Sequence, residues 1–256
     1  MSEVRGTAAD PWLDGRPPHL PKPPSVPAAW LLPGDPARVD TALSLLSDPV
    51  LVGQRREYRM GLGFFGGVPV GVCSTGIGGP STEIAVVELA RLGATTLVRI
   101  GGMGSFSAEL RTGDLGIVAR TTAESAAARF YTEGPAVADP GLVERLVAAT
   151  GAVGRTGRRI TVSSVDGYYV GQGRPVAGFE ERAAERLRAI RESGVDGVDM
   201  EAETVIGIGT ALGLSCGAVL GVHGSRVTDT WDDDYESVQR DVVRTALRAI
   251  TGHRND

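Results

Sequence analysis

Arg99 stands in Thr96-Leu97-Val98-Arg99-Ile100, at the C-terminal end of a run that otherwise reads as a buried strand. A charge in such a setting needs a partner. In open α/β sheets, ligands bind beyond the carboxyl ends of strands. The stretch Gly101-Gly102-Met103-Gly104 that follows predicts a loop whose backbone can approach a ligand closely. A structural carboxylate would satisfy Arg99 equally well. Arg38 is a second cation, in Gly34-Asp35-Pro36-Ala37-Arg38, which follows an apolar strand and opens a helix. Asp35 suits the cap and Pro36 the first helical position. An arginine in a first turn runs against the helix dipole, and beside free N–H groups it makes an anion site. The competing reading is a solvated side chain.

Glu201 is a candidate buried carboxylate. Helical spacing puts it on one face with Val205, Ile208 and Leu212. There it must be hydrogen-bonded or paired, and the hydroxyls of a sugar diol would serve, as would an internal ion pair. Gln172 and Arg174 share the segment Tyr168-Tyr169-Val170-Gly171-Gln172-Gly173-Arg174. An amide donates and accepts whereas a guanidinium only donates, so the two can read a pyrimidine dione edge beside a stacking aromatic. A solvated polar loop is the plainer reading.

The elements that position these residues alternate. Strands are expected at 28–32, 68–74, 95–100, 115–121, 160–164 and 215–222. Helices are expected at 36–47, 81–92, 139–150, 179–191, 199–212 and 233–250. Such alternation predicts an α/β fold with a largely parallel or mixed sheet flanked by helices. Gly61-Leu62-Gly63-Phe64-Phe65-Gly66 matches a dinucleotide fingerprint, but a strand follows it where a helix is required, so it reads as a hairpin turn. Residues 1–27 read as a Pro-rich N-terminal arm and 28–256 as one domain. Seven of the 15 prolines lie between Pro11 and Pro27, which excludes a helix there. The arm is either a disordered leader or a strap laid on a neighbouring subunit.

Composition excludes several classes. Net charge is −5, so the basic surplus of a general nucleic-acid binder is missing. The two cysteines, Cys73 and Cys216, make no disulfide framework, which suits a reducing cytoplasm. The histidines, His19, His223 and His253, form no zinc spacing with them. The start of the chain lacks the apolar core of a signal peptide. The uncharged portion of 204–222 contains five glycines and breaks at Gly213, which speaks against a membrane span.

Cys73-Ser74-Thr75-Gly76-Ile77-Gly78-Gly79-Pro80-Ser81, continuing through Ile84-Ala85-Val86 and Glu88-Leu89-Ala90 to Arg99-Ile100-Gly101, resembles the pyrimidine, uridine phosphorylase branch of the nucleoside phosphorylase family. The likeness runs from about Leu32 to Val222. It implies a single α/β domain around a mixed, partly barrel-like sheet. It also implies a homo-oligomer, usually a hexamer built from dimers, with sites shared between subunits.

By that resemblance Gly34, Arg38, Arg99 and the position of Gly102 hold phosphate, with Arg56 donated by the neighbouring subunit. His19, Met200 and Glu201 bind ribose, His19 from the partner. Tyr168, Gln172 and Arg174 bind the base. Arg38, Arg99, Glu201 and Arg174 are the catalytic set. Glu57, Ile77 and Ser81 match positions that hold potassium at some family interfaces. No cofactor is required beyond inorganic phosphate as co-substrate, and the products are ribose 1-phosphate and a free pyrimidine.

The chain departs from that pattern. The family usually carries two threonines where this sequence has Gly102 and Met103, and the first bonds phosphate. Methionine adds bulk expected near phosphate and ribose. Asp199 replaces a glutamate, and His223-Gly224-Ser225 replaces a more apolar stretch near the base, while Arg226 keeps the arginine of the pyrimidine branch. Three readings therefore stand: a phosphorylase acting on uridine or a sugar-modified uridine, a nucleosidase using water with Asp199 or Glu201 as base, and a catalytically silent nucleoside-binding relative.

Overall fold

The protein is described from a computed structural model covering residues 6–252; residues 1–5 and 253–256, His253 among them, lie outside the described residues. The first half runs β1 (Ala29–Pro33), α1 (Ala37–Leu43), β2 (Ser47–Arg55), β3 (Tyr58–Phe65), β4 (Val68–Cys73), α2 (Gly79–Leu92) and β5 (Thr96–Ser105). The second runs β6 (Leu115–Thr121), α3 (Pro140–Gly151), β7 (Gly157–Ser164), α4 (Glu180–Glu192), β8 (Gly197–Asp199), α5 (Ala202–Ala211), β9 (Ser215–Ser225), β10 (Thr230–Trp231) and α6 (Tyr235–Thr251).

These strands make one mixed sheet in the order β10-β9-β6-β7-β8-β5-β1-β4-β3-β2, and β9 also pairs with β5. That second pairing closes β5, β9, β6, β7 and β8 into a five-stranded ring with parallel and antiparallel edges. The expected α/β fold with a mixed, partly barrel-like sheet flanked by helices is what the chain adopts. The core is one apolar cluster drawn from Leu20 to Ala249, with a small satellite of Val165, Ile190, Val195 and Val198.

Several elements differ from expectation for identifiable reasons. The helix expected at 36–47 ends at Leu43, and the chain turns into β2, an exposed outer strand with no apolar alternation to betray it. Residues 61–65 are not a hairpin turn but the second half of β3. Gly61 and Gly63 are there because a Cβ would stand 2.7 Å from Leu43 Cδ2 and 2.8 Å from Leu46 Cβ. The turn itself falls at Gly66 and Gly67, both at positive φ. Gly101–Gly104 is not a loop, because β5 continues through it to Ser105. Arg99 is thus mid-strand. The uncharged stretch divides into α5 and β9, and among the described residues no helix is long and apolar enough to cross a membrane.

The arm lies on its own chain. Leu20 is fully buried, and Arg55 donates to the carbonyls of Pro17, Pro18 and Leu20. Farther out, Arg91 pairs with Asp10 at 2.7 Å and sits over the Trp12 ring.

Candidate active site

One cavity of about 660 Å³ lies where the ends of β1, β4 and β8 meet the middle of β5 and β9. Gly34, Arg38, Arg99 and Gly102 line one region. Met200 and Glu201 line it too, as do Tyr168, Gln172 and Arg174. Residues drawn from positions 34 to 201 are thus brought together by the fold.

Arg99 is held in place by space left for it. A Cβ on Gly101 would stand 2.6 Å from Arg99 Nη2, and one on Gly34 would stand 3.4 Å from Nη1. The buried guanidinium donates through Nη2 to Glu201 Oε2, and its Nε lies 3.5 Å from Asp199 Oδ2. That Nε has no hydrogen-bond partner among the described residues. Arg38 is different: no hydrogen bond or ion pair among the described residues engages its guanidinium. Burial and the neighbouring Arg99 lower its pKa to about 10, so it remains cationic at neutral pH. The Asp35 carboxylate accepts from Ala37 N–H at 2.8 Å, an N-terminal turn contact made one residue before Pro36.

Glu201 does not sit on the apolar face of α5. It occupies the N-cap position, at φ −140°, and its own side chain makes no capping bond because Asp199, at the end of β8, supplies the acceptor instead. Asp199 Oδ2 accepts from the N–H groups of Glu201 and Ala202 at 3.1 and 2.9 Å, and Oδ1 accepts from Ser164 Oγ at 2.5 Å. Glu201 therefore points back into the cavity, where Oε1 accepts from Gly78 N–H at 2.6 Å. Burial raises its pKa, opposed by Arg99 and by the Gly78 bond.

At the other end Arg174 lies over the Tyr168 ring, 3.9 Å from its centroid. Its Nη1 donates to Gln172 Oε1 at 2.6 Å and to Tyr168 O at 2.7 Å. With its carbonyl so held, the buried Gln172 presents its NH₂ as the remaining donor. Arg226 donates to the backbone carbonyls of Gln172 and Gly173, fixing the turn that carries them.

Other residues named from sequence stand elsewhere. Met103 borders the cavity, but its thioether is turned into the barrel. Its Cε lies 2.0 Å from where Gly197 would carry a Cβ, and its Sδ 3.0 Å from that of Gly116. The bulk expected near phosphate is thus absorbed by two glycines. Arg56 is exposed, 3.7 Å from Glu57, at the tip between β2 and β3. His19 lies outside the cavity, its Nδ1 2.6 Å from Glu88 Oε1. Glu57 and Ile77 line the cavity rim, and Ser81 Oγ donates toward Ile77 O at 3.3 Å. Glu57 and Ser81 both crowd the space beside Gly76. Among the described residues no three His, Cys, Asp or Glu side chains converge to hold a metal. Cys73 and Cys216 are buried and free.

Among the other residues that line the cavity, Trp231 is unmarked in the sequence, and His223 stands out there only as a replacement in a stretch expected near the base. Trp231 lines the cavity from the two-residue strand β10. Its signal was faint, a single aromatic in the acidic turn Asp229-Thr230-Trp231-Asp232. His223 also lines the cavity, against Gly102.

The chain has relatives of known kind. It is 38% identical over 233 residues to a uridine phosphorylase of Thermococcus kodakarensis, covering 90% of this chain and 84% of that protein. It is 37% identical over 231 residues to a uridine phosphorylase of Haemophilus influenzae, covering 86% and 91%. It is 32% identical over 228 residues to a guanosine phosphorylase of Halorubrum lacusprofundi, covering 85% and 89%. The family model described as the phosphorylase superfamily matches residues 29–252, a span that takes in every residue lining the cavity, and the chain belongs to that superfamily.

Proposed function

We propose that this protein is a pentosyltransferase that cleaves a pyrimidine nucleoside, uridine or a sugar-modified uridine, by phosphorolysis. The observation that carries this reading is the pairing, in one cavity, of an uncommitted Arg38 beside Arg99 with the Gln172/Arg174 donor set. The names of the relatives support the same class.

Inorganic phosphate is already a nucleophile, so positioning it is the main task. Arg38, Arg99 and the backbone at Gly34 and Gly102 hold it. Glu201, with Met200 beside it, orients the ribose hydroxyls. A phosphate oxygen bonds to C1′ as the C1′–N1 bond breaks, and the electron pair leaves with uracil. Arg174 and Gln172 stabilise the charge appearing on the base, against Tyr168. The proton of hydrogen phosphate ends on the departing base, and ribose 1-phosphate remains. Both base candidates for a water nucleophile are engaged, Asp199 by the N–H groups at the start of α5 and by Ser164, and Glu201 by Gly78 N–H and Arg99, which favours phosphate as the nucleophile.

The site is completed by a second subunit in a dimer-built oligomer. Arg56 reaches the partner's phosphate from the exposed β2–β3 tip. His19, with Nδ1 tied to Glu88, offers Nε2 to a hydroxyl of the partner's sugar. Glu57, the Ile77 carbonyl and Ser81 form an oxygen set that suits a potassium ion at that interface, and no step depends on it. The cytoplasm, where nucleosides and phosphate meet, is the site of action.

The test is uracil release from uridine with and without inorganic phosphate, with guanosine as a parallel substrate. Phosphate-dependent release with ribose 1-phosphate is expected. Release indifferent to phosphate would make the protein a nucleosidase, and binding without turnover a silent relative.

A further inference from the structure

His223 is an extra residue in its strand. Along the β5–β9 ladder Met103 faces Val222 and Gly104 faces Gly224, so His223 has no counterpart and forms a bulge. Bulges beside active sites re-aim a side chain. Here the imidazole is turned across Gly102. A Cβ on residue 102 would stand 2.4 Å from its Cε1 and 2.5 Å from its Nδ1. Gly102 and His223 thus share one space, and both line the cavity.

The proton on the ring is placed by Gln239. Its amide nitrogen lies 3.2 Å from Gly101 O and 2.6 Å from His223 Nε2. Gly101 O can only accept, so the amide must turn its NH₂ to this side, and its second hydrogen meets Nε2. Nε2 is therefore the bare acceptor and Nδ1 carries the hydrogen. Nδ1 has no partner among the described residues. Burial, helped by the nearby Arg38, keeps the ring neutral, with its pKa lowered to about 4.

We infer that His223 is a phosphate-binding residue, whose Nδ1–H donates to phosphate from the space that a side chain at 102 would fill. Gln239 is its positioning residue. The inference rests on the phosphorolysis reading and adds to it a donor beside Arg38 and Arg99.

Steady-state kinetics with inorganic phosphate and uridine varied in turn test it. His223→Ala should raise the phosphate KM roughly ten- to a hundredfold, as loss of a bond to a charged group does, with the uridine KM unmoved. His223→Asn, whose amide can mimic Nδ1–H, should restore most of the loss. Gly102→Ser should be impaired alone by collision with the imidazole and improved when combined with His223→Ala. An unchanged phosphate KM in His223→Ala, or a rise confined to uridine, would overturn the inference while leaving phosphorolysis intact. Uracil release without phosphate in the parent enzyme would overturn the functional reading instead. Nitrogen NMR of histidine-labelled parent protein is independent of any variant. A protonated Nδ1 whose signal moves on adding phosphate is expected, whereas a protonated Nε2 or an unmoved Nδ1 would overturn the inference.

Discussion

The guanidinium of Arg99 lies across Gly101, so that a Cβ there would stand 2.6 Å from Nη2 and 2.7 Å from Cζ. The arginine cannot retreat, because Glu201 and Asp199 hold it from its other side. Gly101→Ala should therefore displace Arg99 rather than coexist with it. Overpacking of this kind costs ~1–3 kcal/mol. The expected outcome is a lower melting temperature together with a loss of phosphate-dependent turnover. A variant with parental kinetics would mean that the guanidinium has another resting place.

Glu201→Gln should leave the buried Arg99 short of a countercharge. Breaking a buried pair by removing one member costs ~3–5 kcal/mol. Urea unfolding should show a lower midpoint, and uracil release should fall with it. An unchanged midpoint would show that Asp199, 3.5 Å away, neutralises Arg99 by itself.

Arg174→Ala should act on the base and spare phosphate. Loss of a charged donor predicts a fall in kcat/KM for uridine of roughly ten- to a hundredfold, with the phosphate KM held. Arg174→Lys should not restore it, because an ammonium cannot reproduce a planar fork stacked on Tyr168. Recovery by lysine would reduce the role of Arg174 to charge alone.

Acidification should weaken the fold through His223. Its folded pKa, about 4, lies below the ordinary value near 6.5 because burial and Arg38 disfavour the cation, opposed by Asp232. Tyr235 and Gln239 are its other close neighbours. The unfolded chain binds this proton first, so the contribution is complete above pH 6.5 and declines as pH falls from there toward 4. Urea midpoints measured across that window should fall less steeply in His223→Asn. Parallel slopes would assign the decline to other groups.

Sharing of sites between subunits predicts complementation. Arg56→Ala and Arg38→Ala proteins, each impaired alone, should regain activity when their subunits are exchanged, since a hybrid dimer contains one site with both arginines. Proven exchange without recovery would place Arg56 outside the chemistry.

The sequence made the residues of the cavity easier to find than their posture. Alternating apolar runs and glycine stops located β1, α2, β6 and α3 within a residue or two, because propensity and burial agree there. β2 was not legible, since an outer strand exposed along most of its length carries no inward stripe. β8 is three residues long, and its last residue, Asp199, reads as the start of the helix expected at 199–212. That error put Glu201 on a helix face. Its true orientation depends on Asp199 capping α5, a contact that helical spacing alone does not encode. The glycines of β5 read as a loop because their reason for being small is the posture of two side chains, Arg99 folded back over Gly101 on the same strand and His223 of β9 turned across Gly102.

Glu88, on α2, receives the N–H groups of both His19 and Leu20, besides the His19 ring. The carboxylate is almost wholly enclosed, and most of its acceptor capacity is used by the proline-rich arm. A shortened chain starting at Ala28 would strip those donors away and uncover a carboxylate that the arm now encloses. The arm is then a structural clasp, and trimming it to tidy the N-terminus would loosen the helix that follows the Cys73–Gly78 turn.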